Sequence, residues 1–260
     1  MQKIELIERA DGKGNVQRMD YLDTDQRFYY DEFDNNVRTG KPWKPSLTHI
    51  IGEAYPTSEF LIKWRMEKGA QEAERIFKES GDIGTAVHSY INDMLRGTGE
   101  ARQIRAVDLD VEYLPHQALK IKRCLMGFMN WVKDYEPKIT WMEKAILAPD
   151  WAGTGDFEGT LAIDDHKSKY LIDFKTSNSI HETHSIQVAA YAKERGGIKP
   201  AILQVGNRNK SRYTFKVVDN PLYYESVFEN IKETFYLITM KKGEYFCQPD
   251  IEEFPEVFSL

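Results

Sequence analysis

The sequence predicts an α/β (α+β) fold, a central mixed sheet flanked by helices. Three observations point to it. Apolar spacing is helical up to about residue 136 and has a period of two after it. Three extended segments then follow one another with tight turns. Helix-patterned segments lie before, between and after the strand-patterned ones, which is how a sheet acquires helical cover. The chain has 260 residues, enough for a full core.

The elements follow in order. The segment "ADGKGN" near residue 12 is a hairpin turn, and "QRFYYDEF", 26–33, is a strand. "GKPWKPSLTHIIGEAYP" is proline-rich and is expected to be irregular. "TSEFLIKWRMEKGAQEAERIFKES" is a helix capped by Thr57 or Ser58, with Phe60, Leu61, Trp64 and Met66 as its apolar stripe. "GDIGTAVHSYINDMLRG" is a second helix closed by Gly97, and 98–114 is a polar loop. A third helix starts at Pro115 and stops before Pro137. "TWMEKAILAP", "GTGDFEGTLAID" and "KYLIDFKTS" are successive strands, the last two joined at "DDHKS". The helix "HETHSIQVAAYAKERGG" follows, then the strand pair "AILQVG" and "RYTFKVVD" joined at "NRNKS", a helix over 221–240 and a tail. These make one domain over 1–260: a strand and loop region 1–55, a helical segment 56–136, a core 137–240 and a tail 241–260.

Composition bounds the function. Hydrophobic residues make up 41% and charged residues 29%, ordinary for a globular chain. No apolar run approaches the roughly 18 residues of a membrane span. The start "MQKIELIERADGKGN" has no apolar signal core, so the protein is expected to stay where it is made and to involve no membrane. Cys124 and Cys247 are too few for a disulfide framework and too far apart for a metal box. Cys124, inside "CLMGFMNWV", is a core residue. The net charge of −6 argues against binding nucleic acid through overall charge but leaves room for a local basic groove.

The segment "YLIDFKT" poses the functional question, because it sets an acid and a lysine two apart within an apolar run. On a strand, Tyr170, Ile172 and Phe174 share one face, and Leu171, Asp173 and Lys175 share the other. Asp156 lies on the preceding hairpin strand, within reach of both. Two carboxylates and a lysine therefore converge. Carboxylates suit Mg²⁺ or Mn²⁺. Such a metal polarises a phosphoryl oxygen and acidifies a bound water. Taken alone, Asp-x-Lys on a strand is most simply an exposed sheet face.

Five segments carry a resemblance. "GTGD" at 153–156, "DFK" at 173–175 and "QVAAY" at 187–191 look like the GxxD, (D/E)xK and QxxxY motifs of the RecB-like branch of the PD-(D/E)XK nuclease superfamily. "GTAVH" at 84–88 resembles its GTxxH motif. "PSLTHII" at 45–51 resembles the PSxT segment of its small stand-alone members, phage exonucleases and the mitochondrial genome-maintenance exonuclease. The resemblance spans about residues 45–195. Gly155 replaces the proline of the PD motif, and the cysteines that hold an iron–sulfur cluster in some relatives are missing.

The resemblance implies a restriction-endonuclease-like PD-(D/E)XK core and a metal-dependent DNA exonuclease. Asp156, Asp173, the Phe174 carbonyl and His88 would be metal ligands, Lys175 the catalytic lysine, and Glu143 a bridge to a second metal or an orienting group. Gln187 and Tyr191, four apart on one helix face, would serve the site. Gln187 would bind DNA, and Tyr191 would support Lys175 or a phosphate. The cofactor would be Mg²⁺ or Mn²⁺, with no iron–sulfur cluster. No Walker A motif occurs, so ATP is not expected and any helicase or recombinase would be a separate partner. The setting would be the cytoplasm of a bacterium or phage-infected cell. A structure-specific or restriction-like endonuclease and a non-catalytic DNA-end binding module are the other readings.

Several residues compete with these assignments. Glu158 shares a face with Asp156 and rivals it as a ligand. His181 and His184 are three apart, so "HETH" is not a zinc-protease motif, and both are expected to face solvent. Arg208, Lys210 and Arg212 share one turn and are read as solvated or as touching a DNA backbone. Trp43, Tyr55 and Trp64 are candidates for base stacking, with core packing the simpler role for Trp64.

Overall fold

The computed structural model describes residues 2–21, 26–96, 106–163 and 166–241. Asp164, Asp165, Gly97, Cys247 and the tail beyond 241 lie outside them. The chain divides into two compact units, one made of Met1–Tyr55, Ala145–Thr154 and Glu229–Leu260, the other of Pro56–Lys144 and Gly155–Phe228. The class is α+β, with two sheets and seven helices among the described residues. None of those helices is long and apolar enough to cross a membrane.

The first unit holds a four-stranded antiparallel sheet of β1 (Gln2–Glu8), β2 (Asn15–Tyr21), β3 (Gln26–Tyr30) and β4 (Trp43–Pro45), followed by helix α1 (Leu47–Ala54). This second sheet was not expected. The segment read as irregular contains both β4 and α1. Ser46 starts α1 by accepting the His49 N–H at 3.0 Å, an N-cap in a proline-rich context. Trp43 is 6% exposed and packs against Tyr30 at 5.0 Å, so it is a core residue and not a stacking platform. The Lys44 ammonium is fully buried and satisfied by Asp34 at 2.7 Å and the Ala148 carbonyl at 2.8 Å.

The second unit begins with α2 (Glu59–Lys68) and α3 (Ala70–Arg96), separated at Gly69. The two helices are divided differently from the expectation: Gly81 lies inside α3, and the break falls twelve residues earlier, where Gly69 adopts a φ of 78°. The expected apolar stripe of α2 is not a core face. Phe60 and Met66 are each 78% exposed, and half-buried Trp64 meets the Phe77 ring of α3 at 5.3 Å. The expected loop contains a helix, α4 (Ala106–Glu112). Then α5 (Pro115–Tyr135) matches its expected span.

The sheet of this unit has the order β5-β6-β7-β8-β9, from β5 (Lys138–Leu147), β6 (Ala152–Ile163), β7 (His166–Lys175), β8 (Lys199–Val205) and β9 (Tyr213–Val217). Strands β6 and β7 pair antiparallel, β7 and β8 parallel, and β8 and β9 antiparallel, which makes it mixed. The parallel step is spanned by α6 (Glu182–Glu194), and α7 (Pro221–Lys241) closes the described chain. One sheet face, with Phe157, Tyr170, Ile172, Phe174, Leu203 and Val205, packs on Val87 and Ile91 of α3 and on Ile121, Phe128 and Trp131 of α5. Each such side chain contributes about 1.5–3 kcal/mol through burial.

Helix α5 also meets the β8–β9 turn at contact distance. A methyl group on Gly127 would lie 2.2 Å from the Arg212 carbonyl oxygen, a backbone atom that cannot swing aside. Gly127→Ala should therefore force the helix and turn apart and destabilise by about 1–3 kcal/mol. Chemical denaturation of both proteins checks this, and an unchanged midpoint would mean the contact is looser than described.

Candidate metal centre

The expected convergence is present at the end of β7. Asp156 and Asp173 sit opposite each other on the antiparallel β6–β7 pair, since Phe157 aligns with Ile172. Their side chains are 14% and 5% exposed. Asp156 Oδ2 accepts the Phe174 N–H at 2.7 Å, which fixes the carboxylate against the neighbouring strand. Lys175 Nζ lies 2.7 Å from Asp173 Oδ2 and donates to Gln187 Oε1 of α6 at 3.1 Å. Strand alternation explains the partition: Phe174 enters the core while Asp173 and Lys175 project to the α6 side.

Helix α3 supplies His88. Its Nε2 is 3.2 Å from the Phe174 carbonyl and its Nδ1 3.5 Å from Asp156 Oδ1. Both partners are acceptors, so an imidazolium satisfies both. Burial lowers the His88 pKa, but Asp156 outweighs it and the net shift is upward. For Asp156 burial acts upward, while His88, Lys175 and the Phe174 N–H hold the carboxyl below its ordinary range. Asp173 goes the other way. Burial raises it, Lys175 lowers it, Asp156 raises it again, and the result is about 6. Two neighbouring buried carboxyls thus differ in their hold on a proton.

The donors offered are two carboxylates, a peptide carbonyl and one imidazole. That set fits Mg²⁺ or Mn²⁺, hard ions that prefer oxygen and accept nitrogen. Among the described residues no three His, Cys, Asp or Glu side chains are already drawn into a ligand cluster. Protein contacts fill those positions: Lys175 lies on Asp173, and His88 on Phe174 and Asp156. A metal would take the place of protons and an ammonium, so its binding would release a proton.

Glu143 stands on β5 with a φ of 45°, a local break in the strand, and its Oε2 accepts from Asn92 at 3.3 Å. Asn92 is one turn beyond His88 on α3, so Glu143 is held close along the helix to His88. Gln187 touches Lys175, and Tyr191, one turn further along α6, is 3% exposed. Glu158 does not rival Asp156: it is fully buried and bound by Arg195 at 2.9 Å and Lys169 at 2.5 Å. Arg208, Lys210 and Arg212 lie in the β8–β9 turn, apart from the carboxylates.

Asn92 and Arg123 carry no signal in the sequence, and His184 lies elsewhere than expected. Asn92 has no motif to mark it. His184 was expected to face solvent; instead it is half-buried, and burial, then Lys175 and His181, depress its pKa to about 3. Its Nδ1 accepts the His181 N–H at 3.2 Å, so it is a neutral ring at the start of α6. The spacing 184, 187, 191 places it on the Gln187–Tyr191 face, which was the available signal. Arg123 of α5 joins Arg208 and Arg212 around one pocket.

No family model and no curated protein matches this sequence. A solved structure, that of SSO0001, is similar over 59% of this chain and 85% of that chain, with 15% identity and a TM-score of 0.31.

The Asp173 shift has a stability consequence. Its folded pKa of about 6 exceeds the ordinary carboxyl value of 3.8, so the folded state gains stability as the proton is taken up and loses it as pH rises through about 6. Asp173→Asn cannot titrate. In chelator, its melting temperature should gain on the wild type as pH rises from about 4 to 6 and hold that gain above. Parallel melts across this range test it; a pH-independent difference would place the titration elsewhere.

Proposed function

We propose that this chain is a metal-dependent DNA exonuclease with a PD-(D/E)XK core, hydrolysing phosphodiester bonds from DNA ends. The observation that carries the reading is the convergence of Asp156, Asp173 and Lys175 with His88 and the Phe174 carbonyl at the end of one strand pair. A sheet face exposed to solvent would not bury two carboxylates to this degree. A bound Mg²⁺ or Mn²⁺ would supply Lewis acidity toward the phosphoryl oxygen and an acidified water.

The chain's own residues have separable tasks. Asp156 is held in position by the Phe174 N–H and remains ionised, which suits a ligand. Asp173 is the second ligand, its charge matched by Lys175 until a cation arrives. Lys175 is held by Gln187 from the other side, so its ammonium is fixed where it can orient the attacking water or meet charge developing on the phosphorus. His88 completes the ligand set from α3. Neither ATP nor an iron–sulfur cluster enters this scheme. DNA is the partner, with any motor or recombinase supplied separately, in the cytoplasm of a bacterial or phage-infected cell.

Digestion of end-labelled linear single- and double-stranded DNA beside closed circles tests the reading. Linear DNA should be degraded and circles left intact; cut circles would make the chain an endonuclease, and no cleavage in any divalent metal would end the proposal. Chelator should abolish cleavage and Mg²⁺ or Mn²⁺ restore it, with Ca²⁺ supporting binding and little chemistry.

Lys175→Ala separates chemistry from binding. In Mn²⁺, which supplies the compensating charge, the variant should melt near the wild type, keep binding DNA, and lose at least about 10²-fold in rate. Asp173→Asn should lose metal binding and cleavage together. A folded Lys175→Ala protein cleaving at the wild-type rate would remove the lysine from the mechanism.

A further inference from the structure

A second charged site stands at the same end of the sheet as Lys175. The parallel register pairs Lys175 with Gln204, and the β8–β9 turn begins two residues later. There Arg123 of α5 and Asn207, Arg208 and Arg212 of the turn line a pocket of about 290 Å³. This volume is at the low end for small-molecule sites, enough for a phosphodiester unit rather than a nucleotide. Among the described residues none of the three guanidiniums has an ion-pair partner. Asp134, on the last turn of α5, is engaged by the Tyr213 hydroxyl at 2.8 Å. Three unpaired cations from two elements repel one another unless an anion enters, and the guanidinium fork matches phosphate oxygens.

The turn is built to stay in place, unlike an ordinary solvated loop. The Arg212 carbonyl accepts from both Gly206 N–H at 2.8 Å and Asn207 N–H at 3.1 Å. Asn130 of α5 donates to the Ser211 carbonyl at 2.8 Å, and Asn209 to the Tyr213 carbonyl at 2.8 Å. Arg212 adopts a left-handed φ of 59°, strained for a residue with a side chain and maintained by this bonding. Gly127 admits the Arg212 carbonyl against the helix. A pre-positioned binding loop loses less entropy when a ligand arrives.

We propose that the Arg123–Arg208–Arg212 pocket holds a backbone phosphate of the DNA strand whose scissile bond lies at Asp156 and Asp173. This rests on the nuclease reading above and adds where the strand runs. Strands β7 and β9 are two sheet spacings apart, about 10 Å. That is a few nucleotides of a strand at about 3.4 Å each. The strand therefore crosses the end of the sheet from the carboxylates toward α5.

The test uses Arg123→Gln combined with Arg208→Gln, both exposed positions, and Lys216→Gln as a charge control at an exposed position of β9 outside the pocket. Anisotropy of a labelled single-stranded oligonucleotide in Ca²⁺ is measured against salt, alongside melting curves and cleavage in Mn²⁺. The double variant should bind about tenfold more weakly, with the slope of log affinity on log salt reduced by about 0.7 for one lost phosphate contact. Cleavage should show a raised KM with kcat nearly unchanged, while Lys216→Gln stays within about twofold of the wild type. Equal losses in both variants would mean diffuse charge and overturn the pocket. So would an unchanged double variant beside a wild type that binds and cleaves DNA, leaving the nuclease reading intact. A wild type that neither binds nor cleaves DNA would overturn both.

Discussion

Asp156 and Asp173 face each other across strands whose backbones run about 4.8 Å apart, and both are largely withdrawn from water. Two like charges so placed cannot both ionise without compensation, because burial removes the solvent that would separate them. Each neighbouring element answers that requirement. Helix α3 brings the His88 ring to Asp156, β7 turns Lys175 onto Asp173, and α6 holds Lys175 through Gln187. The Phe174 peptide contributes at both ends, its N–H to Asp156 and its carbonyl to His88. The acids therefore constrain which helices must flank the sheet and how closely.

The rest of this unit keeps that cluster in place. The opposite face of β7 is apolar, and Phe174 is 2% exposed between the Phe128 ring at 5.8 Å and the Phe157 ring at 6.2 Å. Phe174 is thus a core anchor whose two sequence neighbours are the acid and the lysine of the cluster, so a shift of the core moves both. Glu158 shows the other fate of a buried acid: its full ion pairing with Arg195 and Lys169 leaves no oxygen for a ligand.

Strand periodicity was the most legible feature of the chain. The alternation in "YLIDFKT" separated Phe174 from Asp173 and Lys175 because side chains on a strand must alternate. Proline and glycine boundaries placed α5 and α6 for the same local reason. Where local signals failed, tertiary context was deciding. Glycines at 81 and 84 resemble a helix boundary, yet they lie inside α3, while the exposed stripe of α2 looked like a core face. The sheet of the first unit was legible only in part, through the turn near residue 12 and the strand at 26–33, since β4 has only three residues, one of them Pro45, with Pro42 just before it. Asn92 and Arg123 act through neighbours distant in sequence, which no spacing rule encodes. Half-buried His184 was hidden by its place in a helix start, where histidines usually meet water.

The parallel pairing of β7 with β8 has a consequence for how the protein reaches its folded state. Lys175 and Gln187 are 12 residues apart, whereas His88 and Phe174 are 86 apart. Closing the longer loop costs about 1.7 kcal/mol more in chain entropy. Contacts of high sequence separation form slowly and late. The acid–lysine–glutamine half of the site is thus expected to assemble as a local β-α-β event, with the imidazole docking afterwards. A newly made chain would hold its carboxylates in register before His88 reached them, so completion of the cluster would be timed by the docking of α3.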